Sequence, residues 1–316
     1  MNKMIDFQQI EWDDVLADDY RQLIRLAIRE DLDRWQDWTT LCMVPQDAKG
    51  TAAIVPREAG VLAGLPAVPL IIDELNATLK CIPRAQDGEP LESGQVAAVI
   101  EGATRDLLTC ERIILNVLGR LSGIATLTRR FVDAAAGHKV RIYDTRKTTP
   151  GWRRLEKYAV RCGGAYNHRA GLFDAILIKD NHLAAAAVRA EDSPNDVETT
   201  IAAKAVRQAK AFLAANMPDG IAKGMIVEIE VDTLEQLKSV LPEKPHIVLL
   251  DNMSLDELRQ AVRMKNELSK DVELEASGGV SLDTVADIAA TGVDRISVGA
   301  LTHSAIALDI GLDWQS

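Results

Sequence analysis

From about residue 139 to residue 300, short apolar segments alternate with helical patterns, and this alternation constrains the fold more than any other feature of the chain. The six clearest segments read VRIYD, AILIKD, IVEIEVD, HIVLLD, VELEAS and RISVGA. Amphipathic runs follow them, with helix-start signals such as Ser254 three residues before Glu257. Apolar strands joined by helices form a parallel sheet through right-handed crossovers. The pattern therefore predicts an α/β fold for this part of the chain.

Polar residues and glycines follow each predicted strand. They are Thr145, Arg146, Lys147, Lys179, Asp180, Asn181, Glu230, Asp251, Asn252, Ser277, Gly278, Gly279, Gly299 and His303. In a (β/α) barrel the carboxyl ends of all strands converge on one mouth, whereas an open doubly wound sheet binds its ligand at one switch point. Because every strand end is polar, we favour a barrel and keep the open sheet as the alternative.

The N-terminal part of the chain has a different pattern. Short strands are predicted at TAAIV, GVLAG, TLKCI and QVAAVI, and a helix at VPLIIDELN. A long helical pattern then runs from about residue 104 to residue 136. We predict two domains, an α+β domain over residues 1–116 and an α/β domain over residues 117–303.

Composition narrows the classes of partner. A net charge of -11 argues against a nucleic-acid partner, because phosphate backbones need a basic face. The four cysteines are scattered and match neither a zinc site nor a disulfide framework, which favours the reducing cytoplasm. The longest apolar run, VLAGLPAVPLII, is too short to cross a membrane. We expect a soluble cytoplasmic protein without a membrane partner.

Positive charge is concentrated at the predicted mouth of this acidic protein. Arg146, Lys147, Arg169 and Lys179 stand at or after strand ends, and His168 precedes Arg169. Cations that converge in this way repel each other unless they bind an anion. Since arginine pairs bidentately with carboxylate or phosphate, we predict a substrate with several negative groups. The remaining cations of this region, Arg153, Arg154, Lys157 and Arg161, are interpreted as a solvated helix face.

Glycines and acids complete the predicted mouth. Gly278, Gly279 and Gly299 lie where backbone N–H groups approach a phosphate, although glycines also occur in tight turns without a ligand. Glu230 and Asp251 suit ribose hydroxyls or Mg²⁺, and a strand-end Asp also caps helices.

Several long motifs carry a family resemblance. They are CERIILNVLGRLSGIAT, DTRKTTPGWRRLEKYAVRCGGAYNHRAGLFDAILIKDNH, VLLDN, EASGGV and ISVGALTHS. In this order they closely resemble the quinolinate phosphoribosyltransferase family. The resemblance implies an N-terminal α+β sandwich domain, an incomplete (β/α) barrel, and a homodimer whose active site joins one subunit's N-terminal domain to its partner's barrel. We also expect residues 304–316 to return to the N-terminal domain.

The resemblance also implies roles for individual residues. Quinolinate falls on Thr145, Arg146, His168, Arg169 and Lys179, with Arg112 contributed by the partner subunit, while Lys147 lies near pyrophosphate. Glu230 and Asp251 lie near the ribose and near Mg²⁺, which the substrate pyrophosphate mainly holds. The 5-phosphate falls on Ser277, Gly278, Gly279, Val298, Gly299 and Ala300, with His303 nearby.

The implied reaction joins quinolinate to 5-phosphoribosyl-1-pyrophosphate and releases pyrophosphate and CO₂, with Lys147, Glu230 and Asp251 as the catalytic residues. The product is nicotinate mononucleotide, an intermediate of NAD biosynthesis. Three alternatives stay open: a related pyrophosphorylase acting on another base, a barrel aldolase with Lys179 as Schiff-base lysine, and a non-catalytic phosphate-binding protein. The connection from Lys179 to Glu230 is longer than the resemblance implies, and we assign the surplus to the segments RAEDSPND and MPDGIAKG.

Overall fold

The computed structural model describes residues 5–188 and 198–315, and the chain divides into two compact units. The parallel-sheet unit comprises the described residues of Met1–Gln8, Phe131–Arg146 and Tyr166–Ala300. The antiparallel-sheet unit comprises those of Gln9–Arg130, Lys147–Ala165 and Leu301–Ser316. Three parts of the predicted α/β domain, residues 117–130, 147–165 and 301–303, cluster with the antiparallel-sheet unit, and residues 5–8 of the predicted N-terminal domain cluster with the parallel-sheet unit. The segment RAEDSPND lies outside the described residues.

The strands of the described residues are β1 (Lys49–Pro56), β2 (Gly60–Val61), β3 (Leu79–Pro83), β4 (Pro90–Leu91), β5 (Ala98–Ala103), β6 (Arg141–Tyr143), β7 (Ala175–Ile178), β8 (Ile226–Val231), β9 (Ile247–Asp251), β10 (Glu273–Ser277), β11 (Arg295–Ser297) and β12 (Ile310–Gln315). The helices are α1 (Asp14–Leu32), α2 (Trp38–Met43), α3 (Ala67–Glu74), α4 (Thr104–Ala134), α5 (Arg153–Cys162), α6 (Asp180–Val188), α7 (Glu198–Asn216), α8 (Asp219–Gly224), α9 (Leu234–Val240), α10 (Leu255–Leu268), α11 (Val285–Ala289) and α12 (Ala300–His303). A 3₁₀ turn covers Leu241–Glu243.

The parallel-sheet unit contains a six-stranded sheet in the order β6-β11-β10-β9-β8-β7. All neighbours pair in parallel, and the order follows the chain from β7 to β11, with β6 on the far side of β11. An α/β fold with a C-terminal parallel sheet is therefore confirmed. Closure into a barrel stays a prediction, because within the described residues β6 and β7 are the edges of the sheet.

One face of this sheet changes character along the strands. The first residues of β7, β8 and β9 are Ala175, Ile226 and Ile247, which pack with Phe7 and Tyr143 in a buried cluster. Because side chains alternate between faces, Glu228 and Glu230 share the face of Ile226 on β8. By the same alternation Asp251, the last residue of β9, lies on the same face as Ile247. On β7, β8 and β9 this face is therefore apolar at the strand starts, and on β8 and β9 it is acidic towards the carboxyl ends.

The antiparallel-sheet unit contains a four-stranded sheet in the order β12-β1-β5-β3 and a short β2-β4 pair. C-terminal strand β12 pairs with β1, with Ile54 opposite Leu312. Helix α1 buries Leu16, Tyr20 and Ile24, and α3 buries its own apolar face. The predicted strand at GVLAG forms β-structure only at Gly60 and Val61. An N-terminal α+β domain is confirmed.

Helix signals in the sequence were mostly correct. Ser254 and Glu257 form the predicted capping box at the start of α10. Segment MPDGIAKG includes the short helix α8. The interpretation of α5 as a solvated basic face was wrong at Lys157, which is fully buried, because the amphipathic helix turns that residue inward.

No helix among the described residues is long and apolar enough to cross a membrane.

Candidate active site

A buried aspartate sets the geometry at the end of β6. Asp144 directly follows β6 and accepts hydrogen bonds from the Asn167 side chain (2.7 Å) and from the backbone N–H of His168 (2.8 Å). The carbonyl of Tyr166 accepts from the Asp144 backbone N–H (3.1 Å). These bonds tie the segment before β7 to the end of β6. They hold Arg169, 23 positions beyond Arg146 in the sequence, close enough for the charge of Arg146 to lower the pKa of Arg169.

The two arginines form the cationic part of the site. Arg169 is only 5% exposed, and its guanidinium donates to the carbonyl of Ala175 (3.1 Å). Burial lowers the pKa of Arg169, and the positive charge of Arg146 lowers it further. Since two neighbouring guanidinium groups repel each other, this pair is suited to a bound anion. The structure thus brings together two of the cations that the sequence predicted to converge.

His168 lies in a buried cluster with two carboxylates. Its Nε2 is 3.1 Å from a carboxylate oxygen of Glu228 and 3.4 Å from one of Glu275. The ring stacks on Phe7 with centroids 4.3 Å apart, and Nδ1 accepts from the Arg169 backbone N–H (2.8 Å). Burial alone lowers the pKa of His168, but the two carboxylates raise it to about 9. The neutral ring, which prevails above that pKa, accepts the backbone N–H at Nδ1 and carries its proton on Nε2, which donates to the carboxylates. The protonated ring keeps the Nε2–H donor and loses the Nδ1 acceptor.

Glu275 also belongs to a second buried ion pair. Arg295, fully buried on β11, donates to Glu275 (2.8 Å), Glu273 (3.0 Å) and Asp6 (3.0 Å). Burial raises the pKa of Glu275, but His168 and Arg295 more than offset this and hold it below its usual range. His168, Glu228 and Glu275 lie close enough together to share a metal ion. Because Glu275 is already paired with Arg295, we interpret His168, Glu228 and Glu275 as part of an ion-pair network rather than as a metal site.

Lys179 and Glu230 meet at the carboxyl ends of β7 and β8. The Lys179 ammonium is ion-paired with Oε2 of Glu230, whose side chain is 9% exposed. Lys179 itself is 43% exposed, so its charged group remains accessible at the strand ends. Register explains the meeting, since Ile178 pairs with Ile229 immediately before these two residues.

The next two strand ends carry Asp251 and Ser277, which are register partners. The Asn252 side chain donates to Asp251 (2.8 Å), and the Ser277 carbonyl accepts from the Asn252 backbone N–H (2.9 Å). Gly278 follows with a φ of +95°, and a Cβ there would lie 2.1 Å from Oδ1 of Asn252. Glycine is therefore required at this position by both its backbone conformation and its neighbour.

The end of β11 continues the sheet for one more residue. The Val298 backbone N–H donates to the carbonyl of Tyr143 (2.8 Å) on β6, and Val298 is buried. Gly299 follows, and Ala300 begins α12. The predicted site residues that lie at strand ends of the parallel-sheet unit are Thr145, Arg146, Lys179, Glu230, Asp251, Ser277, Gly278, Gly279, Val298, Gly299 and Ala300.

Three predicted site residues belong to the antiparallel-sheet unit. Arg112 lies on α4 with 63% of its side chain exposed, 3.5 Å from Glu111. Lys147 is exposed, and His303 is exposed at the end of α12 with Nδ1 2.8 Å from the Ser304 hydroxyl. Their roles stay predictions.

Sequence reasoning missed Glu228, Glu275 and Phe7. A signal for the carboxylates was present, because VEIEVD and VELEAS both alternate acidic and apolar residues with the period of a strand. That alternation puts Glu228 on the same face as Glu230, and Glu275 on the same face as Ser277. No local signal predicts Phe7, since it meets His168 from the other end of the chain.

Comparison with known proteins decides the family. The family model of the quinolinate phosphoribosyl transferase C-terminal domain matches residues 124–313, and that of the N-terminal domain matches residues 37–122. The chain belongs to the quinolinate phosphoribosyltransferase family. A nicotinate-nucleotide pyrophosphorylase [carboxylating] from Mycobacterium leprae is 45% identical over 295 residues, which cover 93% of this chain and 96% of that protein.

More distant members of the quinolinate phosphoribosyltransferase family are also similar over most of the chain. Quinolinate phosphoribosyltransferase [decarboxylating] 2b, mitochondrial, from Nicotiana tabacum is 35% identical, covering 93% of this chain and 82% of that protein. The solved structure of the nicotinate-nucleotide pyrophosphorylase from Francisella tularensis superimposes with a TM-score of 0.84 at 35% identity, covering 98% of this chain and 100% of that one. Family membership argues against the aldolase and the non-catalytic binder.

Proposed function

We propose that this protein transfers the phosphoribosyl group of 5-phosphoribosyl-1-pyrophosphate to quinolinate, with loss of CO₂, to give nicotinate mononucleotide and pyrophosphate in NAD biosynthesis. The observation that carries the proposal is a cationic pair: Arg146 follows β6, and Arg169, which is only 5% exposed, lies in the segment that Asp144 ties to the end of β6 and within reach of the charge of Arg146. A dianionic ligand relieves the repulsion between these two charges. Membership of the family supplies the chemistry that such a site serves.

Quinolinate binding is assigned to the cationic residues and their neighbours. Arg146, Arg169 and Lys179 hold the two carboxylates, with Thr145 and His168 beside them and Arg112 reaching in from a second subunit. This arrangement fixes the pyridine nitrogen towards the sugar, so that much of the rate acceleration comes from orientation. No covalent nucleophile is needed.

The phosphoribosyl donor occupies the remaining strand ends. Ser277, Gly278, Gly279, Val298, Gly299 and Ala300 bind the 5-phosphate through backbone N–H groups, with His303 nearby. Lys147 stabilises the departing pyrophosphate. As the C1–O bond breaks, positive charge develops on the ribose, and the carboxylates of Glu230 and Asp251 stabilise it. The pyridine nitrogen then bonds to C1, becomes an electron sink for loss of the 2-carboxylate, and the ring carbon takes up a proton.

Mg²⁺ is the proposed cofactor. Glu230 is the penultimate residue of β8 and Asp251 is the last residue of the neighbouring β9, and both offer the oxygen ligands that Mg²⁺ prefers. Lys179 pairs with one oxygen of Glu230, and Asn252 donates to one oxygen of Asp251, so these carboxylates suit contacts with an ion that the substrate pyrophosphate mainly holds. When bound, Mg²⁺ supplies charge neutralisation at the pyrophosphate.

Assembly and compartment are part of the proposal. A homodimer that contributes Arg112 to its partner's site accounts for the exposure of this arginine on α4. We place the protein in the cytoplasm because all four cysteines, Cys42, Cys81, Cys110 and Cys162, are free thiols.

One experiment tests the proposal directly. The purified protein is incubated with quinolinate, 5-phosphoribosyl-1-pyrophosphate and Mg²⁺, and nicotinate mononucleotide and CO₂ are measured, with nicotinate replacing quinolinate in a parallel reaction. Product from quinolinate alone is expected, because the paired arginines match two carboxylates. Product from neither base, with the protein folded, contradicts the proposal and points to a pyrophosphorylase for another base.

A further inference from the structure

A buried glutamate lies inside the most basic stretch of the chain and is not used by the proposed chemistry. Glu156, on α5, is fully buried. It accepts hydrogen bonds from the backbone N–H of Thr149 (3.1 Å) and from the Thr149 hydroxyl (2.8 Å). Arg120, on α4, donates to the same carboxylate (2.6 Å). A buried carboxylate needs such partners, and these come from two different segments.

The remaining donors of Arg120 go to the segment around α12. Its guanidinium donates to the carbonyls of Thr302 (2.5 Å) and Ala305 (2.9 Å). The Thr302 hydroxyl in turn donates to the carbonyl of Lys147 (2.7 Å), and Thr302 is fully buried. Lys147 lies two residues before Thr149, and His303 directly follows Thr302. All of these residues belong to the antiparallel-sheet unit.

We propose that Arg120 and Glu156 are positioning residues that fix the backbone of two phosphate-binding cations, Lys147 and His303, relative to each other. The inference rests on the proposed function, which assigns both cations to the phosphoribosyl donor. The side chains of Lys147 and His303 are exposed, whereas the backbone carbonyl of Lys147 accepts a hydrogen bond from Thr302, the buried residue directly before His303. The hydrogen bonds from Thr302 to Lys147 and from Thr149 to Glu156 hold residues 147–149 against the end of α12 and against α5 before substrate arrives. Such preorganisation lowers the cost of binding a polyanion.

The test compares variants that remove one hydroxyl each. Thr302→Val removes the donor to the Lys147 carbonyl at nearly constant volume, and Thr149→Val removes one donor to Glu156. Each is expected to raise KM and the calorimetric Kd for 5-phosphoribosyl-1-pyrophosphate roughly tenfold, the factor associated with one hydrogen bond. KM for quinolinate is expected to stay within about twofold. Thr149→Ser keeps the hydroxyl and should restore the wild-type values.

A matched control lies on the same helix. The Tyr158 hydroxyl donates to Asp87 (2.8 Å), and this bond involves neither Lys147 nor His303. Tyr158→Phe is expected to lower the melting temperature without changing either KM. A purely structural role for the Arg120–Glu156 pair predicts the same behaviour for Thr302→Val and Thr149→Val.

The outcomes separate this inference from the proposed function. Wild-type turnover with unchanged donor Kd in Thr302→Val and Thr149→Val overturns the inference and leaves the function standing. Wild-type donor binding without turnover of quinolinate contradicts the function, while the variants still decide the inference through the donor Kd. A wild-type protein that does not bind the donor overturns both.

Discussion

At the scale of single residues, the charges of Arg146 and Arg169 repel each other in the free protein, but both charges attract a bound dicarboxylate. In the free protein, burial lowers the pKa of Arg169 and the charge of Arg146 lowers it further. With a dicarboxylate bound, both guanidinium groups gain charge-assisted hydrogen bonds. Arg146→Ala is therefore expected to weaken quinolinate binding about 100-fold, equivalent to about 3 kcal/mol, and to leave donor binding within about twofold.

Calorimetry with each substrate measures this difference, and thermal unfolding serves as its control. A melting temperature close to the wild-type value would attribute the lost affinity to the missing guanidinium group rather than to unfolding. An Arg146→Ala protein that binds quinolinate normally would sink the assignment of the dicarboxylate site.

The buried His168 cluster predicts a pH dependence of stability. The pKa of His168 is raised from its ordinary value of 6.5 to about 9 in the folded protein. The stabilisation from this group is therefore fully present below pH 6.5 and is lost as the pH rises through about 9. Between these values the free energy of unfolding should fall by up to about 1.4 kcal/mol per pH unit.

Glu228→Gln removes one of the two carboxylates that raise the pKa of His168. The variant should show a smaller decline of stability across the same pH range, measured by urea unfolding at several pH values. A decline of the same size in both proteins would mean that another group titrates.

At the scale of secondary-structure elements, the turn after β10 is the most constrained loop of the site. Gly278 has a φ of +95° and approaches Asn252. Gly279 has a φ of +60°, and a Cβ added there would meet no atom within 4 Å. Gly278→Ala is expected to displace Asn252 and raise the donor KM at least tenfold, because a close clash adds to the backbone cost.

Gly279→Ala is the matched comparison for this turn. It carries only the backbone cost of about 1 kcal/mol, so its donor KM should change less than that of Gly278→Ala. Steady-state kinetics with varied donor measures both. Equal effects would show that backbone conformation alone, and not the approach to Asn252, requires glycine after β10.

The elements themselves were largely predictable from the sequence. All six strands of the parallel sheet lie within the predicted apolar segments, because buried parallel strands read as short apolar runs between helices. Whether a charged side chain is buried was harder to predict from the sequence. Lys157 was expected at the surface and is buried, and Glu228 was overlooked although it shares a face with Glu230. Pairs distant in sequence, such as Phe7 with His168, depend on tertiary packing that no local pattern encodes.

At the scale of the whole molecule, the net charge is -11, and three of the predicted substrate-binding cations lie in different environments. Arg169 is buried near Arg146, Lys179 is paired at a strand end, and Arg112 is exposed on α4. A single subunit gains little from an exposed arginine beside Glu111, since such surface pairs contribute little stability. A role for Arg112 in a second subunit's quinolinate site gives its exposure a function.

Subunit mixing tests this arrangement. Arg112→Ala and Lys179→Ala homodimers should each be nearly inactive, because each lacks one quinolinate ligand in both sites. In a mixed dimer, one site combines the intact Lys179 of one subunit with the intact Arg112 of the other, and the second site lacks both. Since random exchange makes half of the dimers mixed and each mixed dimer has one intact site, recovery of about a quarter of wild-type activity is expected.

The control for this experiment is a mixture of wild-type and doubly substituted subunits, Arg112→Ala with Lys179→Ala in one chain. Its mixed dimers contain no intact site when the two residues act across the interface, because each site then lacks one of them. If both residues instead served the site of their own subunit, this mixture would keep one intact site per mixed dimer and the first mixture would recover nothing. Mass spectrometry of the intact dimers establishes exchange, so the two arrangements predict opposite activities for the mixed dimers of the same pair of samples.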